Sequence, residues 1–427
     1  MTSRTAFAIP AFRRLWSAGL ISDTGDWMLF IALPLVVFQL TGSAVGTAFA
    51  FLLELVPAVV LAPLAATLVG RFDRRWLMVV VNIGQALALL PLLFVHGAGE
   101  LPLAYAVILA HASLSTLFEP AKNTLLPELV DSERLVSANA LNGLNQSLGR
   151  LIGGPLGGIL LLAGDLGLVV VVDAASYLLS AILIASLPAP APASTKRAPG
   201  SPQQKSPEEK PEGLLAALRI PRLRGAYTVI FVSSIAQGMF LVLFVLFVLG
   251  PLGATEAEVG ILRGVQAIGA IAAGITLGIF VRGTTPRILA VASLFAFGAL
   301  SLITWNLPAL TTGIGFYLML FAAVGAPGVI MIAGLMTVLQ DETTPRQRGA
   351  VFAAVGLLSA LGQATGILLS GLADGPIGVT PLLELQGCLY LLAGMVALVW
   401  LPRAETAIPA AQVGGDPESA GLGTTAR

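Results

Sequence analysis

The sequence predicts an all-α integral membrane protein with twelve membrane-spanning helices in two pseudo-symmetric six-helix bundles. Three observations carry this. Hydrophobic residues make up 56% of the chain and charged residues 11%, against roughly 25% charged in soluble domains. Long apolar runs recur, and about 20 residues suffice to cross a bilayer. The 23 Lys and Arg residues are segregated by side. Six alternate loops hold none of them: Thr41–Ser43, His96–Glu100, Gly164–Asp165, Gly250–Glu258, Asn306–Ala309 and Asp374–Pro381. The termini and the intervening loops are read as holding 21, including Lys122, and Arg150 and Arg263 lie within spans. Basic residues resist translocation, so both termini are expected in the cytoplasm. A missed or invented helix would scramble the alternation.

The spans are read, in order, as Leu15–Leu40, Ala44–Val69, Trp76–Val95, Leu101–Leu125, Ala138–Ala163, Leu166–Leu187, Tyr227–Leu249, Val259–Val281, Ile288–Trp305, Leu310–Leu339, Ala350–Ala373 and Leu382–Leu401. Four units follow: an N-terminal bundle (1–187), a linker (188–213), a C-terminal bundle (214–402) and a tail (403–427). The linker and the tail are too polar and too rich in small residues to bury a core, so both read as flexible and cytoplasmic. Each half opens alike, with Ile9-Pro10 before Arg13 and Arg14, and Ile220-Pro221 before Arg222 and Arg224. A parallel internal repeat of this kind places substrate sites between the halves, near mid-membrane.

Ionisable groups at that depth are costly and therefore informative. Asp26 lies 11 residues into the first span, about 16 Å deep at the helical rise. Asp23 sits nearly one turn shallower. Glu54 is ten residues into the second span and Arg150 twelve into the fifth, about 15 and 18 Å deep. His111 is also at mid-depth. Two readings stand. Arg150 pairs statically with Asp26 or Glu54, or a carboxylate gains and loses a proton during transport. The second half lacks a central acid and offers Gln237, Arg263, Gln266 and Gln363 as cavity residues. Asp173, Glu119 and Glu384 read as snorkelling or capping groups near span ends. Trp27 and Phe30, with Phe240, Phe244 and Phe247, either line a cavity or face lipid.

Span five carries Gly153, Gly154, Pro155, Gly157 and Gly158. Missing side chains and a missing backbone donor predict a hinge or a close helix contact there. Arg71, Asp73, Arg74 and Arg75, with Arg346 and Arg348, either set orientation or latch the cytoplasmic face as a gate. The stretch from Glu119 to Leu129 reads as a further charged loop.

The loop Gly70-Arg71-Phe72-Asp73-Arg74-Arg75 resembles the signature loop of the major facilitator superfamily, Gly-x-x-x-Asp-Arg-x-Gly-Arg/Lys-Arg. Gly70 stands at its aspartate position and Asp73 at its glycine position. The run from Gly154 to Gly158 resembles the antiporter signature of drug exporters, one residue short. Gly25-Asp26-Trp27, Glu119-Pro120-Ala121, Pro127-Glu128-Leu129-Val130, Ala138-Asn139-Ala140-Leu141, Asp173-Ala174-Ala175-Ser176-Tyr177 and Pro345-Arg346-Gln347-Arg348-Gly349 together resemble the branch of macrolide-type drug exporters and the enterobactin exporter.

That resemblance implies a secondary transporter of the inner membrane, exporting a small, partly hydrophobic compound in exchange for protons by alternating access. A lysophospholipid flippase of the same superfamily is the alternative, and a non-transporting receptor or scaffold a further one. The expected partners are the substrate, the proton and the lipid bilayer, with no nucleic acid and a monomeric state. One cysteine, Cys388, and two histidines, His96 and His111, leave no metal site, nucleophile–base pair or enzyme constellation in view. No cofactor is expected.

Overall fold

The computed structural model describes residues 6–188, 214–280 and 285–402. Most of the linker, Arg282 and the C-terminal tail lie outside the described residues. Helix α1 (Pro10–Thr41) starts at a proline, which needs no intrahelical donor at that position. It stops at Gly42, whose left-handed φ of 61° lets its N–H reach the Phe38 carbonyl. Ser43 and Asp73 cap α2 (Ala44–Val60) and α4 (Arg74–Leu89), accepting from the Gly46 and Trp76 N–H groups. Then come α5 (Leu101–Leu129), α6 (Leu135–Ala185), the short α7 (Leu214–Leu218), α8 (Arg224–Leu249), α9 (Glu256–Phe280), α10 (Pro286–Asn306), α11 (Ile314–Asp341), α12 (Pro345–Ser370) and α13 (Val379–Trp400).

Three expectations about the elements are corrected. The second span is broken. Between α2 and α3 (Ala62–Arg71) the axis turns by 53°, beside Pro57 and Pro63, which remove two backbone donors. The segment after Leu125 is not a loop, since α5 runs to Leu129 through Pro120 and Pro127. Lys122 is therefore no loop charge. It is 2% exposed and ion-paired with Glu119 one turn away. The Gly164–Asp165 break is real but tight. Both residues leave helical geometry inside α6, with Asp165 at φ 65°, while its carboxylate accepts from the Gly167 N–H at 2.7 Å. Among the described residues, ten helices are long and apolar enough to span, or eleven with the bent pair as one. Because α6 is broken at this point, it supplies two passes, and the count becomes twelve.

The halves are built alike. In the first, α6 lies on α1 so closely that a Cβ at Gly149 would fall 2.8 Å from the Asp23 Cβ, and one at Gly153 2.3 Å from the Thr24 carbonyl. In the second, α12 lies on α8 in the same manner. A Cβ at Gly362 would meet the Ser234 Cβ at 2.7 Å, and one at Gly366 the Ile235 carbonyl at 2.0 Å. The two glycine pairs are 213 positions apart and their targets 211, so the repeat extends well beyond the Ile-Pro openings.

The halves meet at one end. A single apolar cluster runs from α1 and α2 into α8, α9 and α13 at the face free of Lys and Arg. At the basic face each half keeps its own cluster. The opposite face of α6 forms the seam: a Cβ at Gly154 or Gly158 would lie 3.0 or 2.4 Å from the Gly260 or Glu256 carbonyl of α9. Helix geometry is retained at Pro155, so the glycine run acts here as a contact surface rather than a backbone break. At the seam's far edge, Asp374 beyond α12 accepts from the backbone N–H groups of Ala44 and Val45 and from the Ser43 hydroxyl, at 2.7–3.1 Å. Gln39 donates to Glu256 at 2.6 Å. The α2 N-terminus of one half is thus held by a carboxylate of the other.

Gly260→Leu should wedge this seam. In a Cys388→Ser background, spin labels at His96→Cys and Leu310→Cys, one in each half, should lie farther apart in the leucine variant. An unchanged distance would show that the glycine contact does not hold the face closed.

Candidate functional site

Helix α1 positions the site because its small residues admit α6. A Cβ at Gly25 would fall 2.0 Å from Asp173 Oδ1, so glycine there makes room for a fully buried carboxylate. One residue on, Asp26 accepts a hydrogen bond from the Tyr177 hydroxyl, one turn beyond Asp173. His111 Nε2 lies 2.6 Å from that hydroxyl oxygen and 3.8 Å from Asp26 Oδ1. Gln85 donates to Ser115 at 2.9 Å and to Tyr177 at 3.4 Å. With the phenol donating to Asp26, the imidazole is placed to donate to the phenol oxygen. Asp26, Tyr177, His111, Gln85 and Ser115 thus form one connected polar chain.

The chain opens onto space. A cavity of about 380 Å³ is lined by Asp26, Trp27, Phe30, Glu54 and His111. The Asp26 side chain is 42% accessible, so it is reachable from this cavity. A second cavity, about 260 Å³, shares Asp26, Trp27 and Ser115 and adds Asp23, Gln85, Glu119 and Tyr177. A third, about 430 Å³, belongs mainly to the second half. Gln237, Phe240, Arg263, Gln266 and Gln363 line it, and Arg150 reaches in from α6.

The structure brings Asp23, Asp26, Glu54 and His111 to adjoining cavities. Arg150 is elsewhere. Among the described residues no ion pair joins it to Asp26 or Glu54. Its guanidinium stands 5.7 Å from the Trp27 ring, on the side of the third cavity. Depth is a one-dimensional measure, and helix rotation points the groups apart. Of the aromatics, Phe244 and Phe247 are buried against Phe321 and Trp305 rather than facing lipid. In the basic loops, Arg74 pairs with Glu128 at 3.2 Å and Arg134 with Asp131 at 3.9 Å, both inside the first half. Arg75 donates to the Ala185 carbonyl and Arg348 to the Gln340 carbonyl, again within one half each.

Sequence reasoning missed Gln85, read Asp173 as an end group and Lys122 as a loop charge, and gave Tyr177 no role of its own. A signal existed for Asp173 and Tyr177, because they are four apart and share a helix face. The repeat adds a sharper one. Tyr390 donates to Gln237 at 3.3 Å, as Tyr177 does to Asp26. The tyrosines are 213 positions apart, and Asp26 and Gln237 are 211. At the tyrosines' offset Asp173 matches Gln386 (213), and Glu54 aligns with Gln266 at the intermediate offset of 212. Three carboxylates of the first half are thus glutamines in the second.

A family model described as Major Facilitator Superfamily matches residues 15–249 and 226–420. The chain belongs to that superfamily. Its relatives there include the MFS-type transporter YfiS of Bacillus subtilis (strain 168), 28% identical over 399 residues, covering 90% of this chain and 92% of that protein. Macrolide efflux protein A of Streptococcus pyogenes is 26% identical over 394 residues, covering 90% and 94%. Among solved superfamily folds, the nucleoside transporter NupG superposes with a TM-score of 0.70 at 12% identity, over 92% of this chain and 100% of that one. A bacterial homologue of the iron transporter ferroportin gives 0.69 at 16% identity, over 92% and 99%. The protein is a multi-pass membrane transporter with two pseudo-symmetric six-helix bundles.

Tyr177→Phe should strip three polar partners at once. Leaving buried groups unsatisfied costs about 1–3 kcal/mol. Tyr390→Phe, which frees only Gln237, should cost less. Thermal unfolding of both variants in nanodiscs checks the order, and equal shifts would contradict it.

Proposed function

We propose that this transporter exports a small, partly hydrophobic compound in exchange for protons, by alternating access, with Asp26 and Glu54 as the proton-carrying groups. The carrying observation is the repeat. The two halves hold polar groups at matched positions, but only the first half has carboxylates there. An amide reproduces the shape and hydrogen bonding of a carboxyl group yet cannot titrate. The ability to change charge at these positions is thus confined to one half, next to a cavity that Asp26 and Glu54 both line. Protonation makes such a group cheaper to enclose, because a neutral carboxyl carries a far smaller desolvation penalty than an ion. Tyr177, His111 and Gln85 position Asp26, while Asp23 and Glu119 line the adjoining cavity.

Export direction draws on Macrolide efflux protein A, whose name gives efflux as its activity. With basic residues held on the cytoplasmic side, the face clasped by Asp374 is external. The two separate apolar clusters at the basic face then correspond to halves parted toward the cytoplasm. Rocking about the glycine seam of α6 and α9 would close that end and release the Asp374 clasp.

Proteoliposomes should acidify or alkalinise on addition of a transported compound, screened across drugs, siderophores and lysolipids. Asp26→Asn should reduce this pH signal to that of empty liposomes, and Glu54→Gln should weaken it. Wild-type rates and pH dependence in both variants would sink the assignment. A cysteine at Ser201 in the linker should resist labelling from outside intact cells, and efficient labelling would overturn the topology.

A further inference from the structure

The third cavity holds a charge arrangement that proton exchange does not use. Arg263, on α9, is 6% exposed. Its guanidinium packs 4.7 Å from the Phe240 ring centroid, 5.8 Å from that of Phe30 and 5.9 Å from that of Trp27. It donates a hydrogen bond to Gln266 Oε1, at 3.3 Å. Arg150, on α6 of the other half, approaches the same Trp27 ring at 5.7 Å, and its Nε is buried without a hydrogen-bond partner. Among the described residues no carboxylate forms an ion pair with either. The acids of the region lie on the other side of α1, against Tyr177 and in the first two cavities.

Two guanidinium groups around one indole, in a largely apolar cavity, repel each other. Aromatic faces offset only part of that, since a cation–π contact contributes about 0.5–2 kcal/mol. Buried charges are normally paired, and an intramembrane cation without an internal partner marks a ligand path. The planar guanidinium fork suits carboxylate and phosphate oxygens. Gln237, held by the Tyr390 hydroxyl, and Gln363 add neutral polar groups to the same lining.

We propose that Arg150 and Arg263 bind the anionic head of the transported compound, so that the substrate is an amphipathic organic acid whose apolar body lies against Trp27 and Phe240. The proposal rests on the transport reading above and assigns its substrate class. Because the two arginines come from different halves, the anion bridges them and is released when rocking parts them. A cationic amphiphile would meet two like charges at this point.

The test uses purified full-length protein in phosphatidylcholine nanodiscs, with empty discs as the control for partitioning. Calorimetry compares 2-naphthoxyacetate with its neutral amide, 2-naphthoxyacetamide, and with the cation 2-(2-naphthoxy)ethylammonium. The wild type should bind the carboxylate at least about tenfold more tightly than the amide, as for charge-assisted hydrogen bonds, and the cation most weakly. Arg150→Gln and Arg263→Gln should each reduce this preference. Arg263→Lys, which keeps the charge without the fork, should retain part of it. Equal affinities, preference for the cation, or no carboxylate binding by the wild type would overturn the proposal, whether or not any variant folds. Loss of carboxylate binding when phosphatidylglycerol is added to the discs would assign the anion site to a lipid head group instead. Binding needs no proton movement. A wild type that prefers the carboxylate but gives no substrate-linked pH change would leave this site standing and sink proton coupling.

Discussion

The structure depends on the close approach of α6 to two helices at once. Gly149 and Gly153 face α1, and Gly154 and Gly158 face α9 of the other half. In a bilayer, apolar area alone does not draw helices together, because lipid tails are as apolar as leucine. Packing at backbone contact distance supplies the attraction, and only residues without side chains allow it. That approach brings Asp173 and Tyr177 onto Gly25 and Asp26, and it brings Arg150 beside Arg263. The polar chain, the cationic pair and the seam between the halves share this one contact.

The contact also sorts the charges. Carboxylates gather on one side of α1, around cavities of the first half, while both mid-span arginines gather on the side of the second half. Trp27 stands between, lining the first two cavities and carrying both guanidinium groups near its ring. The separation leaves each set without internal neutralisation. A static design would pair them, since burying a matched ion pair is far less costly than burying its members apart. In the transport cycle proposed above, keeping them apart leaves the acids to a proton and the arginines to an anion, with separate seats within one central region.

The sequence by itself determined the multi-pass helical architecture, the segregation of its basic residues and the repeat, because hydropathy and the Lys/Arg alternation are properties read along one dimension. It placed Asp26, Glu54, His111 and Arg150 along their helices for the same reason, through the fixed helical rise. The matches of Asp26 with Gln237 and Asp173 with Gln386 were also present in the sequence, but they become visible only once the glycine contacts fix the register. Tertiary structure alone decided which way each helix turns. Rotation placed Arg150 opposite a second arginine rather than an acid, and sank Lys122 against Glu119 inside a helix read as a loop. It also turned Asp173 from an apparent end-capping group into a buried neighbour of Gly25. A hydrophobic span is apolar nearly all round, so its periodicity carries little information about which face meets which neighbour. Backbone contacts at glycines carry that information, and they exist only when the helices are packed.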